Sequence, residues 1–566
     1  MLRCAALTFL LLSATAFAAP RWVRVTVPGT DAATSMVVAW NSDATTEPST
    51  VEYGAAPAAL DKTATGSAAA AKGTLGSVHE VTLTGLLPDT KYHYRVGGAG
   101  AWSDVHHFRT GPADACTPFT FIASGDHRSD DDAGPNPKWA SILGEMAASG
   151  ARFILETGDL VKDGADLKQW VNHMTMGASH MGEVALMPSF GNHDSDDVQG
   201  AAAAYNQLFA LPTNDVTGTE DFYAFTYGSV VIAALSTATF DDAAGLAKQA
   251  AWLDATFTKH ADKLWKFVYF HHPCFTSHID LKLIELNHPP DEKGQNAAFV
   301  PIFDKHHVDV VFAGHNHFYE RFQPMKGGSP VASPKDGTLY VTTGGAGAFT
   351  YDEIDVLGFK IEPMKVICGD GFLGFSGKAK GSALCSGKHH YVEVNIDKNV
   401  LSATVRSTAA QNLSTGAQNQ GVIDTWKITK DPLPDGACAP PPPVDTGAVA
   451  EPAAPDTAAT AEPPPAVAEP APAPDPGVVP PTPDPGPTPD AGTVSADSGL
   501  VIDLGGTGSA TTGGATGGSA TTGTSTPAAA ASPSEGGCAP SQRGSVAFAV
   551  FLLMLGLVGR LRRGVS

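Results

Sequence analysis

The stretch VDVVFAGHNHFYER (residues 308–321) shows how this chain presents its reactive side chains. The run up to Ala313 is apolar and rich in β-branched residues, which is typical of a strand buried on both faces. It stops at Gly314, and His315 and His317 follow two positions apart. The pattern therefore predicts a buried strand that delivers two imidazoles at its carboxyl end.

The same pattern occurs four more times along the chain. FTFIASGD ends in Asp126, RFILETGD ends in Asp159, VALMPSFGNHD carries Asn192, His193 and Asp194, and KFVYFHHP carries His271 and His272. Ligands of an open α/β sheet bind outside the carboxyl ends of its strands, so these five ends are expected to converge. Carboxylate, amide and imidazole groups suit Mn, Fe, Zn or Ca rather than a thiolate site. We interpret the set as a metal site.

These motifs resemble the five blocks of the calcineurin-like metallophosphoesterases, and the purple acid phosphatase branch most closely. The matching residues are Gly125-Asp126, Gly158-Asp159, Gly191-Asn192-His193-Asp194, Val268-Tyr269-Phe270-His271 and Gly314-His315-Asn316-His317. We place this catalytic domain at residues 117–430. Helix-like stretches between the strands indicate an α/β layered domain, and they lie at residues 138–149, 166–176, 201–209, 245–260 and 297–307. The resemblance implies that the layers form a four-layer αββα sandwich.

The resemblance also implies two divalent or mixed-valence metal ions, which could be Fe, Mn, Zn or Ca, with Asp159 bridging them. The other implied protein ligands are Asp126 and His317 for the first ion, and Asn192, His271 and His315 for the second. Such a pair of ions activates water and stabilises the attacking and leaving oxygens at phosphorus.

Three further side chains are candidates for catalysis. The resemblance gives His193 the position of an acid that protonates the leaving alkoxide. Asp194 could orient that imidazole, or it could cap the strand end. His278 lies where relatives carry a histidine that faces the substrate, although it could equally be a loop histidine without a role.

Two positions depart from the family pattern. Purple acid phosphatases carry a tyrosine three residues after the bridging Asp, where this chain has Lys162, so the protein should lack the tyrosinate charge-transfer colour. Other members place a histidine two residues after the first Asp, where this chain has Arg128. The first ion is thus one protein ligand short, and His127 or water could complete it. Arg128 could hold phosphate oxygens, or it could pair with the acidic run at residues 130–132.

Residues 20–112 alternate short strand-like runs with turns, which indicates a small all-β sandwich. The segment LTGLLPDTKYHYRVG resembles the fibronectin type III fold. No cluster of catalytic residues occurs there, and His106 and His107 are interpreted as surface or interface residues. We expect this domain to pack against the catalytic domain or to position it.

The two ends of the chain indicate export. Residues 1–18 have the layout of a secretory signal peptide. Residues 435–537 form a Pro/Ala/Thr/Gly-rich segment that is expected to be a disordered stalk. The apolar tail at residues 538–566 resembles Myxococcus-type surface-sorting signals, and a simple membrane anchor is the alternative. We expect a secreted protein retained at the bacterial cell surface, with membrane contact only through the tail.

An oxidising compartment allows disulfides to persist. Cys368 with Cys385 is the first pair we predict, and Cys116 with Cys438 is the second. Cys274 is interpreted as a small buried residue rather than a nucleophile.

Charge and motifs together limit the function. The formal net charge of -22 argues against a nucleic-acid footprint, which needs clustered Lys and Arg. The leading hypothesis is a hydrolase of phosphate monoesters that resembles acid phosphatases. The alternatives are a phosphodiesterase or nucleotide hydrolase with the same metals, and a surface binding protein with a relict site.

Overall fold

The computed structural model describes residues 19–98, 100–129, 134–195, 204–278, 288–351, 354–356, 359–361, 367–369, 377–409, 421–434 and 438. The predicted signal peptide, the stalk beyond residue 438 and the apolar tail lie outside these residues.

The amino-terminal segment folds into antiparallel β-structure. Its strands are β1 Arg21–Thr26, β2 Met36–Ser42, β3 Thr50–Gly54, β4 Lys62–Thr65, β5 Ser67–Ala70, β6 Ser77–Leu83, β7 Lys91–Gly98, β8 Ala101–Trp102 and β9 His106–Arg109. In the described residues one sheet has the order β1-β2-β6-β5, and the other has the order β4-β3-β7-β8 with β9 also paired to β7. The predicted all-β architecture is confirmed.

This β-domain packs directly on the catalytic domain. The Val25 amide donates to the Met181 carbonyl at 3.0 Å, and the Tyr94 hydroxyl donates to the Gly182 carbonyl at 2.8 Å. The His107 imidazole pairs with the Glu183 carboxylate at 3.1 Å. The interface position that we predicted for His107 is therefore confirmed.

The catalytic domain contains two large sheets. The first has the order β12-β11-β10-β24-β25-β26 and consists of β10 Phe119–Ser124, β11 Phe153–Glu156, β12 Ala185–Pro188, β24 His390–Asp397, β25 Val400–Ser407 and β26 Gly421–Thr429. β10, β11 and β12 run parallel to one another, and β24 to β26 add antiparallel strands to the β10 edge.

The second sheet has the order β13-β14-β15-β16-β20-β17-β23. Its strands are β13 Tyr223–Tyr227, β14 Val230–Ala234, β15 Trp265–Phe270, β16 Val310–Ala313, β17 Tyr319–Phe322, β20 Leu339–Thr343 and β23 Ser382–Ser386. β14, β15, β16 and β20 are parallel. Two short hairpins stand apart, β18 Met325–Lys326 with β19 Ser329–Pro330, and β21 Ile354–Val356 with β22 Phe359–Ile361.

The described helices are α1 Pro137–Ala148, α2 Leu167–Gly177, α3 Ala204–Leu208, α4 Ala243–Lys259 and α5 Gln295–His306. They match the predicted helical stretches to within a few residues, except that the predicted start of α3 lies outside the described residues. Three helices have an N-cap residue whose side chain accepts backbone N–H groups of the first turn. These caps are Asn136 for α1, Asp166 for α2 and Asp242 for α4.

Alternation along β15 shows how the layers stack. Phe267 and Tyr269 point into the core between the two sheets, where Phe121 of β10 meets Phe267 edge-on at 5.1 Å between ring centroids. Val268 and Phe270 point the other way, into the core beneath α4 and α5. Side chains of α1 and α2 belong to the core of the first sheet. The order is helix, sheet, sheet, helix, so the predicted four-layer αββα fold is confirmed.

Both predicted disulfides are present. Cys368 bonds Cys385, and Cys116 bonds Cys438, which ties the start of the catalytic domain to the residues after β26. Cys274 is a free, buried thiol, as we predicted. Among the helices that the structure describes, none has both the length and the apolar character needed to span a bilayer.

Candidate metal centre

The candidate ligands follow the strand ends in both sheets. Asp126, Asp159 and Asn192 follow β10, β11 and β12, while His271 and His315 follow β15 and β16. Because the two sheets stack face to face, the carboxyl ends of these parallel strands open at one edge of the sandwich. The five ends that we expected to converge therefore do so.

The backbone is unusual at these positions. Asp126, Asp159 and His315 have positive φ values of 61°, 58° and 69°, a left-handed conformation that is uncommon for residues other than glycine. Such conformations concentrate at functional sites, where the surrounding structure holds them in place. Gly158 has a φ of 92°, and a Cβ there would lie 2.7 Å from the Gly191 nitrogen. Glycine is thus required where the second and third strand ends touch.

Asp159 lies at the centre of the cluster. Its Oδ1 is 3.2 Å from Nε2 of His271 and accepts a hydrogen bond from the His193 amide at 3.0 Å. Ligand atoms of Asp126, Asp159 and His271 all lie within 4.8 Å of one another, and all three residues are buried. A single cation could therefore reach two carboxylates and an imidazole.

Hydrogen bonds fix the orientation of the histidines. Nδ1 of His271 donates to the Thr157 carbonyl at 2.8 Å, and Nδ1 of His317 donates to the Phe349 carbonyl at 2.8 Å. Nε2 of His315 lies 3.1 Å from the Glu292 carboxylate. Each ring thus presents its other nitrogen to the centre, which is the arrangement that metal-binding histidines adopt.

Asn192 completes one ligand set. It begins a short 3₁₀ turn, Asn192–Asp194, and its Oδ1 is buried without a hydrogen-bond partner in the described part of the chain. Buried carbonyl oxygens are normally satisfied, so an orphan oxygen next to the His193 amide that donates to Asp159 fits the role of a metal ligand. Together with Asp159, His271 and His315, this oxygen gives the predicted second-ion position a consistent donor set.

The predicted first-ion position is different because Arg128 lies there. Nε2 of His317 is 3.5 Å from Oδ1 of Asp126, but it is also 3.4 Å from Nη2 of Arg128. Nε of Arg128 lies 3.6 Å from Oδ2 of Asp159. The acidic run at residues 130–132 lies outside the described residues, and the ion-pair partner of Arg128 that the structure shows is Asp159.

His127 does not face the site. Its Nε2 lies 3.1 Å from the Ser124 hydroxyl and its Nδ1 lies 3.6 Å from the Glu156 carboxylate. Its ring stacks on Trp139 at 4.0 Å between centroids. The interpretation that His127 could complete the first ion's ligand set is therefore wrong, because both of its ring nitrogens face Ser124 and Glu156.

The charged groups shift one another's pKa. Burial raises the pKa of the Asp159 carboxyl, but His271, and then His193 and Arg128, outweigh burial and hold the pKa well below its ordinary value. Burial lowers the pKa of the His271 imidazole, and the Asp159 charge more than compensates and raises it to about 9. A cation that binds here replaces the proton on His271, so metal binding releases protons.

His193 and Asp194 have separate tasks. Nδ1 of His193 is held by the Lys162 carbonyl at 2.7 Å, which leaves Nε2 4.0 Å from Oδ2 of Asp159. Burial lowers the pKa of this imidazole, and the charge on Asp159 opposes that shift. The Asp194 carboxylate instead accepts backbone N–H groups from Asp159, Leu160, Val161 and Gly191 at 2.8–3.1 Å. Of our two interpretations of Asp194, the contacts support the strand-end cap and contradict the orienting role.

Sequence reasoning missed a group on the far side of His315. The His288 ring lies 3.8 Å from the His315 ring, and Nδ1 of His288 lies 3.2 Å from the Glu292 carboxylate that also meets His315. His272, Glu292 and His315 could together hold a cation. The spacing of His288 and Glu292, four residues apart, was the available signal. His278 is half-buried just before a segment that is not described, and its role stays a prediction.

Two segments of the chain match models of known families. Residues 20–110 match the family described as purple acid phosphatase, N-terminal domain, and residues 101–319 match the calcineurin-like phosphoesterase family. The second match spans all five motif blocks. The chain thus contains, in order, a match to a purple acid phosphatase N-terminal domain and a match to a calcineurin-like phosphoesterase domain, and it resembles the purple acid phosphatases.

Individual relatives agree with these matches. The chain is 27% identical over 338 residues to purple acid phosphatase 21 of Arabidopsis thaliana, covering 58% of this chain and 71% of the relative. It is 27% identical over 358 residues to acid phosphatase type 7 of Homo sapiens, covering 58% of this chain and 78% of the relative.

Two solved structures share the fold. The yellow lupin (Lupinus luteus) purple acid phosphatase PPD1 superposes with a TM-score of 0.57 at 16% identity, covering 73% of this chain and 75% of that chain. PhoD superposes with a TM-score of 0.52 at 13% identity, covering 73% of this chain and 91% of that chain.

Proposed function

We propose that this protein is a metal-dependent hydrolase of phosphate monoesters. The observation that carries the proposal is the convergence of the Asp126, Asp159 and His271 ligand atoms within 4.8 Å at the common edge of two sheets. The names of its relatives, purple acid phosphatase and acid phosphatase, support a monoester substrate. A resident ion would activate water and offset charge on the phosphoryl oxygens.

The side chains around the centre suit the remaining tasks. Asn192, His271 and His315 are the side chains that would hold such an ion together with Asp159. His193 is anchored through Nδ1 and half-buried, so its Nε2 can hand a proton to a leaving oxygen beside Asp159. Arg128 offers a planar fork that matches two phosphate oxygens.

Assays on a phosphate monoester and a phosphate diester distinguish this function from the phosphodiesterase and binding-protein alternatives. The purified protein is stripped with a chelator, resupplied with Mn, Fe, Zn or Ca, and assayed on p-nitrophenyl phosphate and bis(p-nitrophenyl) phosphate. We expect the higher kcat/KM on the monoester. A higher value on the diester would favour the phosphodiesterase alternative, and no turnover in metal-loaded protein would favour the binding protein.

One variant tests the bridging carboxylate. Asp159→Asn should lose nearly all turnover and most bound metal, because the ligand would lose the charge that holds the cation. Asp397→Asn is the matched control, since Asp397 is exposed at the opposite end of the first sheet. Retained turnover with full metal content in Asp159→Asn would contradict the assignment.

We also propose that the protein is secreted and held at the cell surface by its tail. Two disulfides in the described residues support an oxidising compartment. We expect intact cells to hydrolyse a substrate that cannot cross the membrane. Protease treatment of those cells should remove this activity. Activity only after lysis would contradict surface exposure.

A further inference from the structure

We propose that the Arg128 guanidinium takes the place of one metal ion, so that this centre holds a single resident ion at Asp159, Asn192, His271 and His315. Arg128 then supplies the second positive charge that faces the phosphate. The role toward phosphate rests on the proposed function, whereas the metal count does not.

The guanidinium contacts the atoms that the other ion would need. Because Nδ1 of His317 donates to the Phe349 carbonyl, the lone pair of His317 is on Nε2, and that atom lies 3.4 Å from Nη2 of Arg128. Nε of Arg128 lies 3.6 Å from Oδ2 of Asp159. An ion requires such ligand atoms at about 2.0–2.2 Å, so it could not enter without displacing the guanidinium.

Arg128 is built into the site. Its backbone N–H donates to the Asp159 carbonyl at 3.0 Å, and its own carbonyl accepts from the Asn136 side chain at 3.0 Å. Its side chain is only 11% exposed. These contacts fix the position of the residue relative to the Asp159 turn, which distinguishes it from a mobile surface arginine.

One divalent ion beside the Arg128 guanidinium is enough to offset the carboxylate charge at the centre. Asp126 and Asp159 are the carboxylates that converge there, while Glu292 is engaged by His288 and His315, and Asp194 is engaged by backbone amides. An arginine stays charged at any physiological pH. One divalent ion and one guanidinium already exceed the charge of two carboxylates. A second divalent ion would add repulsion at close range in a buried site.

The contacts of the neighbouring side chains do not replace the missing ligand. His127 is turned toward Ser124 and Glu156. At the position where purple acid phosphatases carry tyrosine, Lys162 contributes its backbone carbonyl to His193. The position that the resemblance assigns to the first ion therefore has Asp126, Asp159 and His317 as protein ligands, and a cationic side chain lies among them.

Counting metal ions tests the inference without substrate. Elemental analysis after dialysis, and calorimetric titration with Mn²⁺ and Zn²⁺, should give one ion per wild-type chain. Arg128→His, which exchanges the cation for an imidazole, should give two. Arg95→His is the matched control and should give one, because Arg95 lies on the β-domain, where it pairs with Glu52. Two tightly bound ions in the wild type, or one in a folded Arg128→His variant, would overturn the inference.

A second variant distinguishes the positive charge of Arg128 from the forked shape of its guanidinium. Arg128→Lys should still bind one ion, but inorganic phosphate should inhibit or bind about tenfold more weakly, since a lysine cannot make the forked contact. Two ions in Arg128→Lys would overturn the inference. If Arg128→His does not fold, the wild-type count decides alone. If metal counts agree but no phosphate ester is hydrolysed, the proposed function fails while the single-ion centre stands.

Discussion

Individual side chains at the centre divide into those that present a donor atom to the crevice and those that hold the backbone in place. Asp126, Asp159 and His315 do both, since their left-handed backbone turns each side chain into the crevice. Asp194 belongs only to the second group, because backbone amides occupy its carboxylate. These two kinds of residue should respond differently to mutation.

Asp194→Ala should lower the free energy of unfolding by about 2–4 kcal/mol, because buried amides of residues 159–161 and 191 would lose their acceptor. His193→Ala should change stability by less than about 1 kcal/mol but reduce kcat. Urea denaturation and steady-state kinetics on both variants make the comparison. Full stability in Asp194→Ala would show that the cap does not support the loop.

Iron-loaded protein should lack the visible charge-transfer band of iron–phenolate centres. Lys162 stands at the tyrosine position, and Tyr351 stacks on His317 at 5.4 Å between ring centroids. Burial raises the pKa of the Tyr351 phenol, which opposes formation of a phenolate. Absorption spectra of protein loaded with Fe(III) provide the test. If a band appears, its loss in Tyr351→Phe would identify the tyrosine and contradict our expectation.

At the scale of elements, the outer helices of the second sheet are joined by a polar contact. Asp254 of α4 meets Lys305 at 2.6 Å and His306 at 2.5 Å, both on the last turn of α5. Hydrogen bonds from Lys305, and then from His306, lower the pKa of Asp254 below its ordinary value of 3.8. The contact supports the layer that covers β15 and β16, which in turn deliver His271 and His315.

Asp254→Asn should destabilise the protein by about 0.5–1 kcal/mol at pH 7, which is the usual range for an exposed ion pair. The pKa of Asp254 is lower in the folded state, so its contribution is complete above pH 3.8 and is lost as the pH falls through the folded-state value. Denaturation of both proteins at pH 7 and at several pH values below 3.8 follows the loss of this contribution. A difference that grows toward acid would contradict the sign.

At the scale of the whole molecule, two covalent links close loops of very different length. Cys116–Cys438 spans 322 residues and encloses the catalytic domain, whereas Cys368–Cys385 spans 17 residues. The amino-terminal β-domain adds non-covalent contacts on the α2 and β12 side, including the Tyr94 and His107 contacts. The candidate metal centre thus lies in a domain that is stabilised from both of its chain ends.

Replacing Cys116 and Cys438 by Ser should cost more stability than replacing Cys368 and Cys385. The chain-entropy model gives about 6 kcal/mol for the long loop and about 3 kcal/mol for the short one, because the longer loop restricts the unfolded chain more. Denaturant titrations of the two double variants provide the comparison. Equal losses would show that local structure, rather than loop length, sets the contribution.

The sequence by itself determined the α/β layers, the strand ends that carry the candidate ligands and the all-β character of the amino-terminal domain. Each depends on local information, because apolar runs and turn residues act over a few neighbours, whereas the structure had to join Cys116 to Cys438 across 322 residues. Only the tertiary structure decided that His127 turns away, that Arg128 lies between Asp159 and His317, and that Asp194 caps a loop. It also brought His288 and Glu292 to His315. Those outcomes depend on side-chain direction at left-handed turns and on contacts between segments far apart in the chain, which local pattern does not encode.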